Sequence, residues 1–174
     1  MFMKTQFRFS GMIVAGIMIM ALYSGCSQDD SASVKTYNNS IVDIQKDMFS
    51  KAQEVSTVFQ QPNLTSDKIE STLKDVQASI NASHDKFKAI SVPKSGERLA
   101  DAMERFFQVE MNGMQNIIYA VEQLKGKESD PAAQKVFNDT FAEFSNQENR
   151  SLKEFYATQQ EVAEKFGQKV VQGE

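Results

Sequence analysis

The feature that most constrains the fold is a spacing of three and four residues between apolar side chains, which recurs through the chain after residue 33. The steps alternate strictly across residues 66–90, through Ile69, Leu73, Val76, Ile80, Ser83, Phe87 and Ile90. This period turns one stripe of a helix toward partner helices. No segment of comparable length alternates with the period of two that is typical of a strand. The sequence therefore predicts an all-α protein.

Three further segments carry a stripe with the same spacing. Residues 34–60 contain Val34, Tyr37, Ile41, Ile44, Met48, Val55 and Phe59. Residues 97–125 contain Leu99, Met103, Phe106, Glu110, Gly113, Ile117, Val121 and Leu124. Residues 131–166 contain Phe137, Phe141, Phe144, Glu148, Leu152, Phe155, Val162 and Phe166. Together with residues 66–90, these segments predict four long helices.

Short segments rich in helix-breaking and helix-capping residues separate the four stripes. They are Pro62 to Asp67, Val92 to Gly96, and Gly126 to Pro131. Connections this short favour antiparallel neighbours, so we expect an up-down-up-down four-helix bundle over residues 34–168. Residues 169–174 are left as a C-terminal tail.

The N-terminal segment has the layout of a secretory signal peptide. Lys4 and Arg8 precede an uncharged run from Gly11 to Leu22, and that run is shorter than the roughly 20 apolar residues that cross a membrane. We therefore interpret residues 1–25 as a cleaved signal peptide. A short membrane anchor that stays uncleaved is the alternative.

The only cysteine of the chain stands where the apolar run ends. Ser24-Gly25-Cys26 resembles the lipobox of bacterial lipoproteins, although the aliphatic Leu22 stands four places before the cysteine instead of the usual three. The resemblance implies that Cys26 carries lipid and becomes the mature N-terminus. A free thiol or an intermolecular disulfide is the structural alternative.

The residues after the cysteine bear on location. Ser27 resembles the residue found in the class of lipoproteins sent to the outer membrane, which implies a lipid-anchored protein of the bacterial cell envelope, on its periplasmic or surface face. The polar residues 27–33 then form a short tether, so that residues 26–33 comprise the lipidated cysteine and its tether.

The charge balance excludes one class of partner. The chain has a net charge of −4, and removing residues 1–25 with Lys4 and Arg8 lowers it to −6. No run of Lys and Arg is present, so we expect no nucleic-acid binding. The membrane would be reached through the acyl chains, without a basic patch.

The sequence offers little for enzymatic chemistry. Its one histidine, His84, has no glutamate three places before it, as di-iron bundles require, and one cysteine cannot attach a c-type haem. No nucleophile motif, glycine-rich phosphate loop or zinc ligand set is visible. We therefore expect a non-enzymatic protein without catalytic residues, resident metal or cofactor, and His84 on a helix flank.

Two carboxylates are the exception to an otherwise apolar pattern. Glu110 and Glu148 both fall on the stripes, 18 and 20 residues from the turn near residue 128, so an antiparallel hairpin would bring them to nearly the same height. Buried together, they would form a polar layer that binds a metal or a small cationic ligand, or that shares a proton.

The competing interpretation of the pair is a drift in helix phase. A drift of one position would turn both glutamates to the flank, near Arg150, Gln147 or Asn112. Gly113 is unusual inside a helix, and it predicts either a close neighbouring helix or a small gap beside Glu110. An internal pocket is expected there, if the bundle has one.

Two hypotheses for function follow from the sequence. The first is a membrane-anchored helical module that binds another envelope protein in an accessory, immunity or stress role. The second is a bundle that binds a small ligand or metal, or senses pH, through Glu110, Glu148 and the space near Gly113.

Overall fold

The computed structural model describes residues 19–21, 28–59, 65–166 and 169–171. Within these residues the chain forms four α-helices, which are α1 (Gln28–Phe59), α2 (Ser66–Lys88), α3 (Glu97–Leu124) and α4 (Pro131–Lys165). A 3-10 turn over Lys94–Gly96 leads into α3. The predicted all-α class is confirmed, and three of the helices begin at or within one residue of the predicted position.

Local chemistry sets the helix starts. The Thr65 side chain caps α2 by accepting a hydrogen bond from the Lys68 backbone N–H, at 3.2 Å. The Asp130 carboxylate caps α4 by accepting from the Ala132 N–H at 2.9 Å, with Pro131 in the first turn, where a missing N–H removes no helical hydrogen bond. Both caps lie within the segments of helix-capping residues that the sequence predicts.

The chain differs from the prediction at both ends. Helix α1 begins at Gln28, inside the segment predicted to be a polar tether, because a polar first turn can be helical without any apolar spacing to signal it. Two three-residue strands, β1 (Ile19–Ala21) and β2 (Lys169–Val171), pair antiparallel, and three residues are too short for a period of two to be recognised. Cys26 and residues 1–18 lie outside the described residues.

Contacts between side chains join the end of α4 to the beginnings of α3 and α1. Arg98 and Arg105 on α3 pair with Glu161 and Glu154 on α4, at 2.8 and 2.7 Å. A buried hydrogen bond of 2.7 Å runs from Gln159 Nε2, late in α4, to Asn38 Oδ1, early in α1. These pairings bring the beginning of α3 and of α1 beside the end of α4.

The helices enclose one apolar core. Its most deeply buried side chains include Ile41, Leu73, Leu99, Met103, Phe107, Ile117 and Phe155. All but Phe107 lie on the predicted stripes, and Phe107 follows Phe106 directly. None of the described helices is long and apolar enough to cross a membrane.

Candidate ligand site in the bundle core

Glu110 on α3 and Glu148 on α4 both point into the core. Their exposed fractions are only 7% and 9%, and both line the same cavity. The phase-drift interpretation is therefore wrong, since its proposed partners Asn112, Gln147 and Arg150 are all exposed. The apolar stripes keep their phase through both helices, and this brings the two carboxyls together.

The surroundings of the pair leave its charge poorly compensated. Burial raises the pKa of Glu110 well above its ordinary value, and the neighbouring Glu148 raises it further. Burial also raises the pKa of Glu148, to about 7. Glu110 Oε1 and Glu148 Oε2 are buried and have no hydrogen-bond partner among the described residues. The pair therefore favours a state in which at least one carboxyl is protonated near neutral pH.

The cavity beside the pair lies among all four helices and has a volume of about 40 Å³. It is lined by Met48, Phe49, Lys51 and Ala52 from α1, Leu73, Val76, Ser79 and Ile80 from α2, Phe106, Glu110 and Met114 from α3, and Phe141 and Glu148 from α4. One water needs roughly 10–15 Å³ by the same kind of measure, so the cavity has room for a small group. Phe49, Ala52, Ser79 and Phe141 are half-buried, and they mark its outer part.

Gly113 has a different role from the predicted gap. A Cβ built on Gly113 would lie 1.9 Å from Cδ2 of Phe144, so the missing side chain admits the Phe144 ring. The alternative of a close neighbouring helix is therefore the one observed. The internal cavity does lie beside Glu110, as expected, but Gly113 does not line it and lines an outer groove instead. Gly113 lets α3 and α4 pack closely one helical turn after Glu110.

A shallow groove runs along the outer surface between α3 and α4. Two of its lining residues, Tyr119 and Val136, are large apolar side chains that are 62% and 56% exposed. Asp139 and Glu143 also line the groove and give it acidic character. This surface is separate from the cavity of the glutamate pair.

Sequence reasoning missed several polar contacts of the core. The expected flank position of His84 is wrong, because the residue is buried and its ring packs on Phe107 with centroids 4.9 Å apart. It is hydrogen-bonded, as the sequence allows for, since its Nε2 lies 2.7 Å from Glu104 Oε2. Lys51 and Ser79 line the cavity although neither lies on a predicted stripe. The only signal for them is their position three residues after Met48 and Val76, which are stripe residues.

The two glutamates offer few ligands for a metal ion. Among the described residues, no group of three or more His, Cys, Asp or Glu side chains could hold a metal ion.

The chain matches no protein-family model, no curated protein and no solved structure.

Proposed function

We propose that this protein is a lipid-anchored bacterial envelope protein whose helical bundle binds a small ligand in the cavity of Glu110 and Glu148. The observation that carries the proposal is the pair of buried carboxyls whose oxygens Glu110 Oε1 and Glu148 Oε2 have no partner among the described residues, beside a cavity. A ligand would supply the donors that these oxygens lack.

Energetics favour this reading over a purely structural role. A buried polar group without a partner costs about 1–3 kcal/mol, and a charged one costs more. The rest of the cavity wall is mostly apolar, so the pair adds little packing that an apolar side chain could not provide. A ligand that donates hydrogen bonds to both carboxyls would offset that cost.

The anchor rests on the N-terminal sequence. The lipobox-like Ser24-Gly25-Cys26 after an apolar run supports lipidation of Cys26, and Ser27 favours the outer membrane. Helix α1 begins at Gln28, so the bundle would lie directly at the membrane surface. Such anchoring raises the effective concentration of the module beside other membrane components.

Mass spectrometry of the protein purified from the cell envelope tests both parts. We expect a denatured mass equal to residues 26–174 plus acyl chains, and a native mass that includes a bound small molecule. The Glu110→Gln/Glu148→Gln variant should lose the extra native mass, whereas Glu164→Gln, an exposed change on α4 outside the cavity and the groove, should keep it. An unmodified Cys26 would refute the anchor, and a native mass without any adduct would count against the ligand.

A second candidate function is the binding of an envelope protein, and the exposed Tyr119 and Val136 in the groove between α3 and α4 favour it. A photo-crosslinking residue at position 119 should capture one dominant partner in cells. The same residue at the exposed Val92, which is outside the groove, is the matched control. Equal capture at both positions would contradict this function.

A further inference from the structure

We infer that the cavity of Glu110 and Glu148 takes the ammonium group of a small primary amine with one positive charge and a short apolar chain. This inference rests on the proposed function, because it names the chemical class of the ligand for that cavity. It is carried by the unpartnered oxygens, the composition of the cavity wall and the cavity's size.

Hydrogen bonding selects a donor. A charged carboxyl accepts hydrogen bonds at both oxygens, a protonated one still accepts at its carbonyl oxygen, and an alkylammonium group presents three donors. Two of them match Glu110 Oε1 and Glu148 Oε2, which have no partner among the described residues. Ser79 also lines the cavity, and a serine hydroxyl can accept a hydrogen bond. An anionic ligand would instead place a second negative charge beside the buried carboxyls.

Charge selects a single positive ligand. Among the residues whose side chains the structure describes, the charged ones that face the cavity are Lys51 on α1, Glu110 on α3 and Glu148 on α4, and the lining residues of α2 are uncharged. Because both carboxyls have raised pKa values, the pair tends to keep one proton and one negative charge near neutral pH. The Lys51 side chain is exposed, so solvent screens its charge, and one monovalent cation at the carboxyls neutralises the negative charge of the pair. A Ca²⁺ ion would need six to eight oxygen ligands, and two carboxylates supply at most four.

The walls suit an alkyl chain next to a cation. The Phe106 and Phe141 rings line the cavity, and aromatic faces attract ammonium groups. The thioethers of Met48 and Met114 provide polarisable, adaptable contacts. The half-buried Phe49 continues this apolar surface outward. A chain attached to the ammonium could therefore leave the cavity along apolar side chains.

The size of the cavity limits the ligand. Its volume is about 40 Å³, whereas an apolar cavity that holds benzene measures about 150 Å³. The cavity itself therefore holds the ammonium and the first carbons, and the remaining chain lies at its outer part. This argues for a primary amine and against the bulkier quaternary ammonium group.

The test is a titration of the full-length protein, in mild detergent, with propylammonium chloride. The methionine methyl groups carry a carbon-13 label and report by NMR. We expect saturable shifts at Met48 and Met114, which line the cavity, and no shift at Met103, which is fully buried but does not line it. Four non-hydrogen atoms limit the dissociation constant to about 40 μM or weaker.

Neutral and bulky analogues separate recognition of charge from filling of space. 1-Propanol and tetramethylammonium chloride should produce at most about a tenth of the propylammonium shift at the same concentration. Equal shifts from 1-propanol and propylammonium would overturn the inference, since they would show an apolar cavity that ignores the carboxyls. Sodium chloride at the same ionic strength controls for screening.

The carboxyls are tested by variants and by pH. Glu110→Gln/Glu148→Gln should abolish the shifts, and Glu164→Gln, an exposed change on α4 outside both the cavity and the groove, should leave them unchanged. Should the double variant fail to fold, the pH dependence of the wild type decides instead: binding should be about tenfold or more weaker near pH 5 than near pH 8, because protonation removes the charge from Glu148. Binding that is equal at both pH values would overturn the inference.

Failure of the inference and failure of the proposed function give different results. No methionine shift with propylammonium, together with an extra native mass on the envelope protein that the double variant loses, would refute the amine and leave the proposed function standing. No shift and no extra native mass would refute both.

Discussion

Among the side chains that the structure describes, glutamate is buried at two places in the bundle, and its pKa shifts in opposite directions at the two. Glu70, near the start of α2, forms ion pairs with Lys74 and with Lys125 from the end of α3. These lysines, Lys125 first, lower the pKa of Glu70. Glu110 and Glu148 have comparable exposure but no cationic partner among the described residues, and their pKa values are raised.

The comparison shows that burial alone does not decide the protonation state of a carboxyl. The partners decide it, since a nearby ammonium favours the charged form and a neighbouring carboxylate disfavours it. Stability therefore depends on Glu70 below pH 4.5, the ordinary carboxyl pKa, and on the core pair above it. Glu70 stabilises the fold above that pH, and this contribution is lost as the pH falls through its lowered pKa. The core pair destabilises the fold as the pH rises.

The largest expected effect is a loss of stability as the pH rises from acidic to neutral values. The pKa of Glu148 is raised from 4.5 to about 7, so the free energy of unfolding should fall by about 3 kcal/mol between about pH 4.5 and pH 7. Glu110 acts in the same direction and extends the loss to higher pH. Urea unfolding followed by circular dichroism measures the profile. A wild-type profile that is flat across this range would contradict the comparison.

The next effect concerns the packing that closes the interface beside the core pair. Gly113→Ala places a Cβ 1.9 Å from Phe144, and we expect this overlap to destabilise the protein by about 2 kcal/mol after the gain of roughly 1 kcal/mol in helix propensity. Thermal or urea unfolding measures the loss. Adding Phe144→Leu should recover part of it, because the smaller side chain makes room. An unchanged stability for Gly113→Ala would show that the interface is looser than described.

Matched glutamine variants should then give effects of opposite sign. Near pH 8, Glu148→Gln removes a buried charge and should raise the free energy of unfolding by about 1 kcal/mol or more. Glu70→Gln removes a carboxylate that two lysines bind, and it should lower that free energy. Both are measured by urea unfolding at the same pH. Two changes of the same sign would break the comparison.

The smallest effect is expected at Lys125, which joins α3 to α2. Its Nζ lies 2.7 Å from Asp67 Oδ1 and also pairs with Glu70, but the lysine side chain is substantially exposed. Lys125→Gln should therefore lower the melting temperature slightly, and less so in about 0.5 M salt, where exposed charges are screened. A loss that is independent of salt would indicate that packing of the lysine stem matters more than its charge.

Much of the fold follows from local features of the sequence. The starts of α2, α3 and α4 could be predicted because Thr65 and Asp130 act on backbone groups two or three residues away and because the stripes change to turn residues abruptly. The start of α1 at Gln28 could not, because its first turn is polar and carries no apolar spacing. Lys125 and Glu70 are far apart in sequence, and no local pattern pairs them.

The sequence by itself determined an all-α chain of four long helices and placed Glu110 and Glu148 on two apolar stripes at similar heights. Only the tertiary structure decided that both carboxyls face the core, since a small drift over helices of this length turns a residue from core to flank. Only the packing decided that Phe144 fills the space left by Gly113. Helix period and capping are short-range properties, whereas helix phase and the partner of a buried charge depend on how all four helices pack together.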